Sequence, residues 1–366
     1  MIGFTGAQTD EANDSQSDES EVLDLLVDEF LSCCRRGEWP SIIGYEERYP
    51  EYAARIRHLF PMVETMERLK RGRFDKPQAV STTPPPVRIG EFQIVRELGR
   101  GGMAVVYEAV QGPLGRTVAL KVLRHTNLEP KRRERFDREA RAVAKLHHTN
   151  IVPIFAFGVE DSLSYYGMQL IEGRGLDEII RSQRENQSPG REDRWRSLAR
   201  VGIQVAEALQ FAHDHGVFHR DVKPSNLLVD EHQTAWITDF GLAKLVGHED
   251  LSATGDVIGT LRYLAPEALH GETGPQSDVY GLGLTLYEWA TLSQPFGEVT
   301  PSELLCRINE DQPTRPRSLA PEIPDDLETI ILKAIAREPS DRYQTASHFA
   351  DDLRAFLDDR PIKARK

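Results

Sequence analysis

The stretch His219-Arg220-Asp221-Val222-Lys223-Pro224-Ser225-Asn226, with Asp239-Phe240-Gly241 beginning thirteen residues after Asn226, decides the fold. Asp221 is a carboxylate that can accept a hydroxyl proton. Lys223 can neutralise charge on a phosphoryl group in transit. Asn226 offers a neutral oxygen to magnesium, a hard cation that prefers oxygen, and the Asp239 carboxylate can bridge the same metal to phosphates. Taken singly, Asp221 reads as a solvated loop acid and Asp239 as a turn residue before glycine. Their joint order and spacing leave those readings little room.

Upstream, Lys121 ends the apolar run "VALK". A lysine there usually snorkels to solvent. It gains meaning with Glu139 in "RFDREA", a carboxylate that could orient an ammonium gripping the α- and β-phosphates. Glu134 and Asp137 are rival partners on the same expected helix. Earlier still, Gly99-Arg100-Gly101-Gly102-Met103-Ala104 lies between two expected strands. Backbone N–H groups approach phosphate oxygens closely only where side chains are absent. Alone the segment reads as a glycine-rich hairpin. It also departs from GxGxxG, with Ala104 in the third glycine position, a change of one methyl group.

The bulk properties fit a soluble protein. The chain has 366 residues, a net charge of −13, 39% apolar and 28% charged residues. The acidic balance argues against a nucleic-acid or anionic-membrane binder. Three cysteines, two of them the adjacent Cys33 and Cys34, form neither a disulfide framework nor a metal-ligand spacing and suit a reducing cytosol. No run approaches the ~18 apolar residues of a membrane span, and the N-terminus does not read as a secretory signal.

Residues 1–20 are acidic and read as disordered. Residues 21–70 read as helical. Val22, Leu25, Leu26, Glu29 and Phe30 give one face, and Tyr52, Ile56, Leu59 and Phe60 repeat it after turn signals at Pro40, Gly44 and Pro50. Cys33 and Cys34 read as helix-packing residues. Residues 71–89 form an expected Pro-rich linker with Pro84-Pro85-Pro86. From Gly90 the pattern predicts three antiparallel strands ("FQIVREL", "AVVYEAV", "TVALKVL"), a charged helix over 131–146, and two further strands ("IVPIFAFGVE", "SYYGMQLIE"). Beyond about 175 the chain reads as mostly helical. The polar insert 181–194 reads as a surface loop, and Leu198, Val201, Val205, Ala208, Leu209 and Ala212 define a helix face that Gly216 ends.

Together, "LGRGGMAVVY", "VALK", "HRDVKPSN", "DFGLAK", "GTLRYLAPE", "SDVYGLG" and "DRYQTA" resemble a eukaryotic-type (Hanks-type) protein kinase domain over residues 92 to about 358, most of all those of the bacterial serine/threonine kinases. The resemblance implies an α+β, bilobal fold over 90–358: a β-rich N-lobe (about 90–171) and a helical C-lobe (about 172–358), with a helical N-terminal extension and a basic tail over 359–366. It implies transfer of the γ-phosphate of MgATP, with Mn2+ as the alternative metal, to Ser/Thr hydroxyls of proteins including the chain itself, in signalling. It names Asp221, Lys223, Asn226, Lys121 and Glu139 as the catalytic set, and Asn226 and Asp239 as the metal set. The nucleotide set is Leu98, Gly99, Gly101, Val106, Ala119, Lys121, Met168 (the gatekeeper position), the hinge residues Gln169 and Ile171, and Leu228. Val143, Ile154, His219 and Phe240 match the column that stacks in active relatives. Glu267 should pair with Arg342, and Asp278 should hold the catalytic-loop backbone. Thr260 should bond with Asp221 and Lys223, and with Lys223 it points to Ser/Thr substrates.

Arg220 beside Asp221 makes phosphorylation of the activation segment the expected switch, with Thr254 as first acceptor and Ser252 as second. A catalytically silent scaffold is the reading from another class. It would have lost Lys121, Asp221, Asn226 or Asp239; all four are present, and Ala104 is its only support. A small-molecule kinase is disfavoured by "GTLRYLAPE", which shapes a peptide platform in protein kinases. Docking, dimerisation and a passive role remain open for residues 21–70. The expected location is cytoplasmic. "RPIKARK" resembles the junction from which longer relatives continue into a membrane helix, so a cytosolic module of a membrane protein is the alternative.

Overall fold

The computed structural model describes residues 88–101, 104–123, 140–160, 163–186, 191–240, 261–310 and 312–365, with parts of 25–60, Arg138 and Gly259. Those between 25 and 60 form one compact unit, and those from Arg88 onward form another.

In the first unit, helical residues within 25–36 and helix α1 (Ile42–Arg48) enclose a small aromatic core. The rings of Phe30 and Phe60 lie 4.4 Å apart, and Tyr45 meets both at 5.5 and 5.1 Å. Leu26, Phe30, Ile56 and Phe60 are buried as the apolar spacing predicts, whereas Leu25 is exposed. Gly44, expected in a turn, lies inside α1. Ser41 caps that helix, its hydroxyl accepting from Gly44 N at 3.4 Å, and Tyr45 anchors it to the core. Cys34 is fully buried, and Cys33 is partly so.

The second unit opens with a six-stranded antiparallel sheet. Its strands are β1 (Arg88–Ile89), β2 (Phe92–Arg100), β3 (Ala104–Gln111), β4 (Arg116–Leu123), β5 (Ile154–Glu160) and β6 (Leu163–Gln169), in spatial order β1-β2-β3-β4-β6-β5. Side chains alternate across a strand, and β4 shows what that achieves. Val118, Leu120 and Val122 join Phe92, Val105 and Tyr107 in a core on one face. Ala119 and Leu123 join the large core on the other. On β6 the same alternation needs a glycine. A Cβ on Gly167 would lie 2.9 Å from the Phe92 ring, so only glycine admits that ring. β1 pairs with β2 through Arg88↔Gln93 and Ile89↔Phe92, so the sheet begins inside the stretch expected to be linker.

The remainder is helical. It comprises α2 (Leu176–Asn186), α3 (Arg191–Asp214), α4 (Pro275–Thr291), α5 (Pro301–Glu310), α6 (Pro316–Leu319), α7 (Asp325–Ala334) and α8 (Ala346–Leu357), with a small sheet of β7 (Gly173–Gly175), β8 (Leu227–Asp230) and β9 (Ala235–Ile237). Helix α4 is buried from Asp278 to Thr291 and forms the axis of this lobe. Gly216, with φ of 72°, follows the end of α3 as expected, since glycine adopts the left-handed region at no steric cost.

One expectation is corrected. Residues 181–186 and 191–194 of the expected loop are helical, at the end of α2 and the start of α3. Polar residues among them serve the C-terminus of α4, whose last carbonyls lack intrahelical donors. Arg184 Nε donates to Leu292 O at 2.8 Å, and Arg194 Nη2 donates to Trp289 O and to Ala290 O, the latter at 2.8 Å. The basic tail is fixed to the fold: Ile362 is buried, and Lys363 N and Ala364 N donate to the buried Asp352 carboxylate at 2.7 and 2.8 Å. Of the expected helix 131–146, Arg138 and 140–146 are described: Arg138 and 140–143 are helical, and 144–146 are not, so the helix ends earlier than expected.

Candidate active site

The loop that follows α3 carries His219, Arg220 and Asp221, and a buried carboxylate on α4 holds its backbone. Asp278 Oδ2 accepts from His219 N at 2.8 Å, and Oδ1 accepts from Arg220 N at 2.7 Å. His213 Nε2 lies 2.8 Å from Oδ2, a partner that sequence reasoning missed. Burial pushes the Asp278 carboxyl up, but the hydrogen bond and charge of His213 and the bond from His219 N outweigh it and hold the group below the usual carboxylate range. The support makes room for a strained residue: Arg220 has φ of 65°, in the left-handed region.

His219 is fully buried, and burial pushes its imidazole pKa down. Nδ1 accepts from Asp221 N at 3.2 Å, so Nε2 carries the proton and donates to Thr238 O at 3.0 Å. Its ring centroid lies 4.6 Å from that of Phe240. Val143, Ile154 and Phe240, three of the residues matched to the expected column, border one small apolar pocket.

Asp221, Lys223 and Asn226 converge. Lys223 Nζ lies 3.0 Å from Asp221 Oδ2, and Asn226 Nδ2 donates to Asp221 Oδ2 at 3.0 Å and to its carbonyl at 2.8 Å. Because the amide nitrogen is committed to Asp221, the amide oxygen of Asn226 remains as the acceptor. Thr238 N donates to Asn226 O at 3.0 Å and ties the segment before Asp239 to this loop.

Asp239 also has positive φ, 64°. Its Oδ1 meets Lys121 Nζ at 2.6 Å and accepts from the Tyr166 hydroxyl at 2.6 Å. Burial raises the Asp239 carboxyl, but the Lys121 ammonium, the bonds from Lys121 and Tyr166, and the charge of Lys223 bring it below the usual range. The oxygens of Asp239 and Asn226 suit magnesium, which takes one or two protein oxygens and completes its shell with phosphates and water. The sequence motifs pointed to Lys121 and Asp239 separately, and the structure pairs them directly. Tyr166 was missed altogether. Strand alternation places it on the face of Met168, but nothing in the sequence names the partner of its hydroxyl.

The expected nucleotide residues fall on β2, β3, β4, β6 and β8 and in the segments beside them. Gly99 pairs with Val106, Gly101 N donates to Ala104 O at 2.9 Å, and Ala119 pairs with Met168. Ala104 is buried as the first residue of β3, opposite Leu123. Leu98 is partly exposed on β2, Leu228 lies on β8, and Met168 Sδ accepts from Thr238 Oγ1 at 3.6 Å. Gln169 N donates to Pro153 O at 3.0 Å, and Leu170 and Ile171 pack against the large core. Further from the cleft, Arg342 grips Glu267 bidentately at 2.7 and 2.8 Å. Glu139, Glu134, Asp137, Gly102, Met103, Gly241, Ser252, Thr254 and Thr260 lie outside the described residues.

A family model described as the protein kinase domain matches residues 92–353. The chain is 36% identical over 272 residues to serine/threonine-protein kinase PrkC of Bacillus subtilis, covering 74% of this chain and 41% of that one. It is 37% identical over 272 residues to serine/threonine-protein kinase PknE of Mycobacterium bovis, covering 74% and 47%. A probable serine/threonine-protein kinase of Clostridium acetobutylicum is 34% identical over 264 residues, with 72% and 39% covered. The chain thus spans about two fifths of the length of the curated relatives it matches. Among solved structures, the kinase domain of Mycobacterium tuberculosis PknI superposes with a TM-score of 0.59 at 26% identity, covering 74% of this chain and 97% of that domain. With its β-rich and helical parts and these relatives agreeing, the chain belongs to the Hanks-type protein kinase family, among the bacterial serine/threonine kinases.

Proposed function

We propose that the chain transfers the γ-phosphate of ATP to serine and threonine hydroxyls of proteins, itself included. The observation that carries this reading is the convergence of Asp221, Lys223 and Asn226 within 3.0 Å, alongside the Lys121–Asp239 pair at 2.6 Å. In this reading Asp221 orients the acceptor hydroxyl and takes its proton, and Lys223 balances charge on the phosphoryl oxygens. Lys121 holds the α- and β-phosphates, and Leu98, Val106, Ala119, Met168 and Leu228 enclose the base. Asp239 and the amide oxygen of Asn226 would hold Mg2+, which supplies charge neutralisation on the phosphates when bound. Autophosphorylation at Thr254, with Ser252 second, would raise activity through Arg220. Among the described residues no helix is long and apolar enough to cross a membrane.

The test is mass spectrometry of the purified chain after incubation with ATP and Mg2+. Phosphoserine or phosphothreonine should accumulate on the wild type and on an added basic protein, and should be absent from Asp221→Asn. A wild-type chain that stays unmodified and modifies nothing overturns the reading.

A further inference from the structure

Tyr166 belongs to none of the motifs that identify the cleft, yet it touches the cleft's most important carboxylate. It stands directly opposite Lys121 in the β4–β6 ladder. Cross-strand partners project from the same face of a sheet, so the phenol and the ammonium reach one target side by side. Both meet Asp239 Oδ1 at 2.6 Å. Tyr166 is 2% exposed. The pocket it helps to line is walled by the apolar Val143, Val152, Ile154 and Ile237, with Thr238 and Asp239 as its other polar members. A phenol buried there needs a partner, because an unmet hydroxyl is costly away from water. Filling the space alone would need only phenylalanine.

We infer that Tyr166 is a positioning residue for the metal-holding carboxylate: its hydroxyl fixes Asp239 by Oδ1 and leaves Oδ2 for Mg2+. The inference rests on the kinase reading and deepens it. The Asp239 backbone sits in the left-handed region, at φ of 64°, which a non-glycine residue holds only when its surroundings enforce it. Lys121 cannot be the sole enforcer. Its ammonium is also claimed by the nucleotide phosphates, and once it turns to them its grip on Oδ1 weakens. Tyr166 has no such second claimant among the described residues. It is the donor that stays when the nucleotide arrives.

The test compares wild type, Tyr166→Phe and Asp239→Ala by calorimetric titration with ADP, once with Mg2+ and once with a chelator. Tyr166→Phe keeps the ring and should fold. Its affinity for ADP with Mg2+ should fall roughly three- to tenfold, the share of a hydrogen bond to a charged group. Its affinity for metal-free ADP should stay within about twofold of wild type. Hydrogen exchange at residues 238–240 should also quicken in the nucleotide-free variant, a change that activity assays do not report. An equal loss with and without metal, or no loss in either, overturns the role of Tyr166. If wild type itself binds ADP equally in both conditions, the kinase reading falls and takes this inference with it. If wild type prefers Mg2+, Asp239→Ala loses the preference and Tyr166→Phe keeps it in full, only the inference falls.

Discussion

Two buried aspartates near the catalytic loop are used in opposite ways. Asp278 has donors on both oxygens: His213 and His219 N on Oδ2, and Arg220 N on Oδ1. Asp239 takes its two donors on Oδ1 alone, and among the described residues no hydrogen bond meets Oδ2. Burial opposes ionisation of both, and neighbouring donors overcome it in both. The difference lies in what is left over. A carboxylate satisfied on each oxygen is a strut, because moving it breaks several bonds at once. A carboxylate held by one oxygen is fixed in place and still has a ligand to offer. Asp352, which takes Lys363 N on Oδ1 and both Tyr343 Oη and Ala364 N on Oδ2, belongs with the struts.

The comparison can be broken most sharply at the reaction itself. Asp221→Asn should lower turnover by roughly 10²–10⁴-fold, the usual worth of a positioned base, while ATP affinity changes little. Near-normal turnover by the purified variant would remove Asp221 from the chemistry and Asp239 from its company. Next comes the strut. Asp278→Ala leaves two backbone N–H groups and His213 without their acceptor and should cost about 3–5 kcal/mol of stability, read from urea unfolding. Asp239→Ala should cost less, about 2 kcal/mol, since Lys121 can swing to solvent and only the buried Tyr166 hydroxyl is left without its acceptor. Equal losses at the two positions would erase the distinction between strut and ligand.

Glu267 sharpens the comparison through pH. Burial raises its carboxyl, but the bonds and charge of Arg342, with help from Ser277, bring it below the usual range. A group with a lowered folded-state pKa stabilises the fold fully above the ordinary carboxylate range, and that contribution is lost as pH falls through the lowered value. Glu267→Gln should therefore cost about 3 kcal/mol at pH 7, where it strands a buried guanidinium, and progressively less as pH falls below the ordinary carboxylate range. A gap between the variant and wild type that is independent of pH would deny that the pair is ionic. The smallest effect belongs to the tail. Asp352→Asn should cost about 1–2 kcal/mol and loosen residues 359–365, visible as earlier proteolysis there. An unchanged cleavage rate would show that the buried Ile362 alone secures the end.

The motifs in "HRDVKPSN", "DFG" and "VALK" were legible in the sequence because each chemical role demands a particular side chain at a particular spacing. Alternation and turn chemistry likewise placed the strands from β2 to β6, and Gly216 after α3. Local pattern failed where long-range partners decide. The polar run 181–194 reads as loop in isolation, yet 181–186 and 191–194 are helical, and their Arg184 and Arg194 cap carbonyls at the far end of α4, about a hundred residues on in the chain. Gly44 reads as a turn until Ser41 and the aromatic core hold it in a helix.

What the sequence by itself determined is therefore the inventory: which groups could accept a proton, hold a metal or face a phosphate. Only the tertiary structure decided the pairing. Lys121 and Asp239 are 118 residues apart in the chain, and Tyr166 and Asp239 are 73 apart. A hydrogen bond depends on a few tenths of an ångström, and no spacing rule along a chain fixes a distance across two packed sheets and a loop. That Asp239 is fastened by a single oxygen, and by a tyrosine as well as a lysine, follows from the ladder register of β4 with β6 and from burial, which denies the phenol any water.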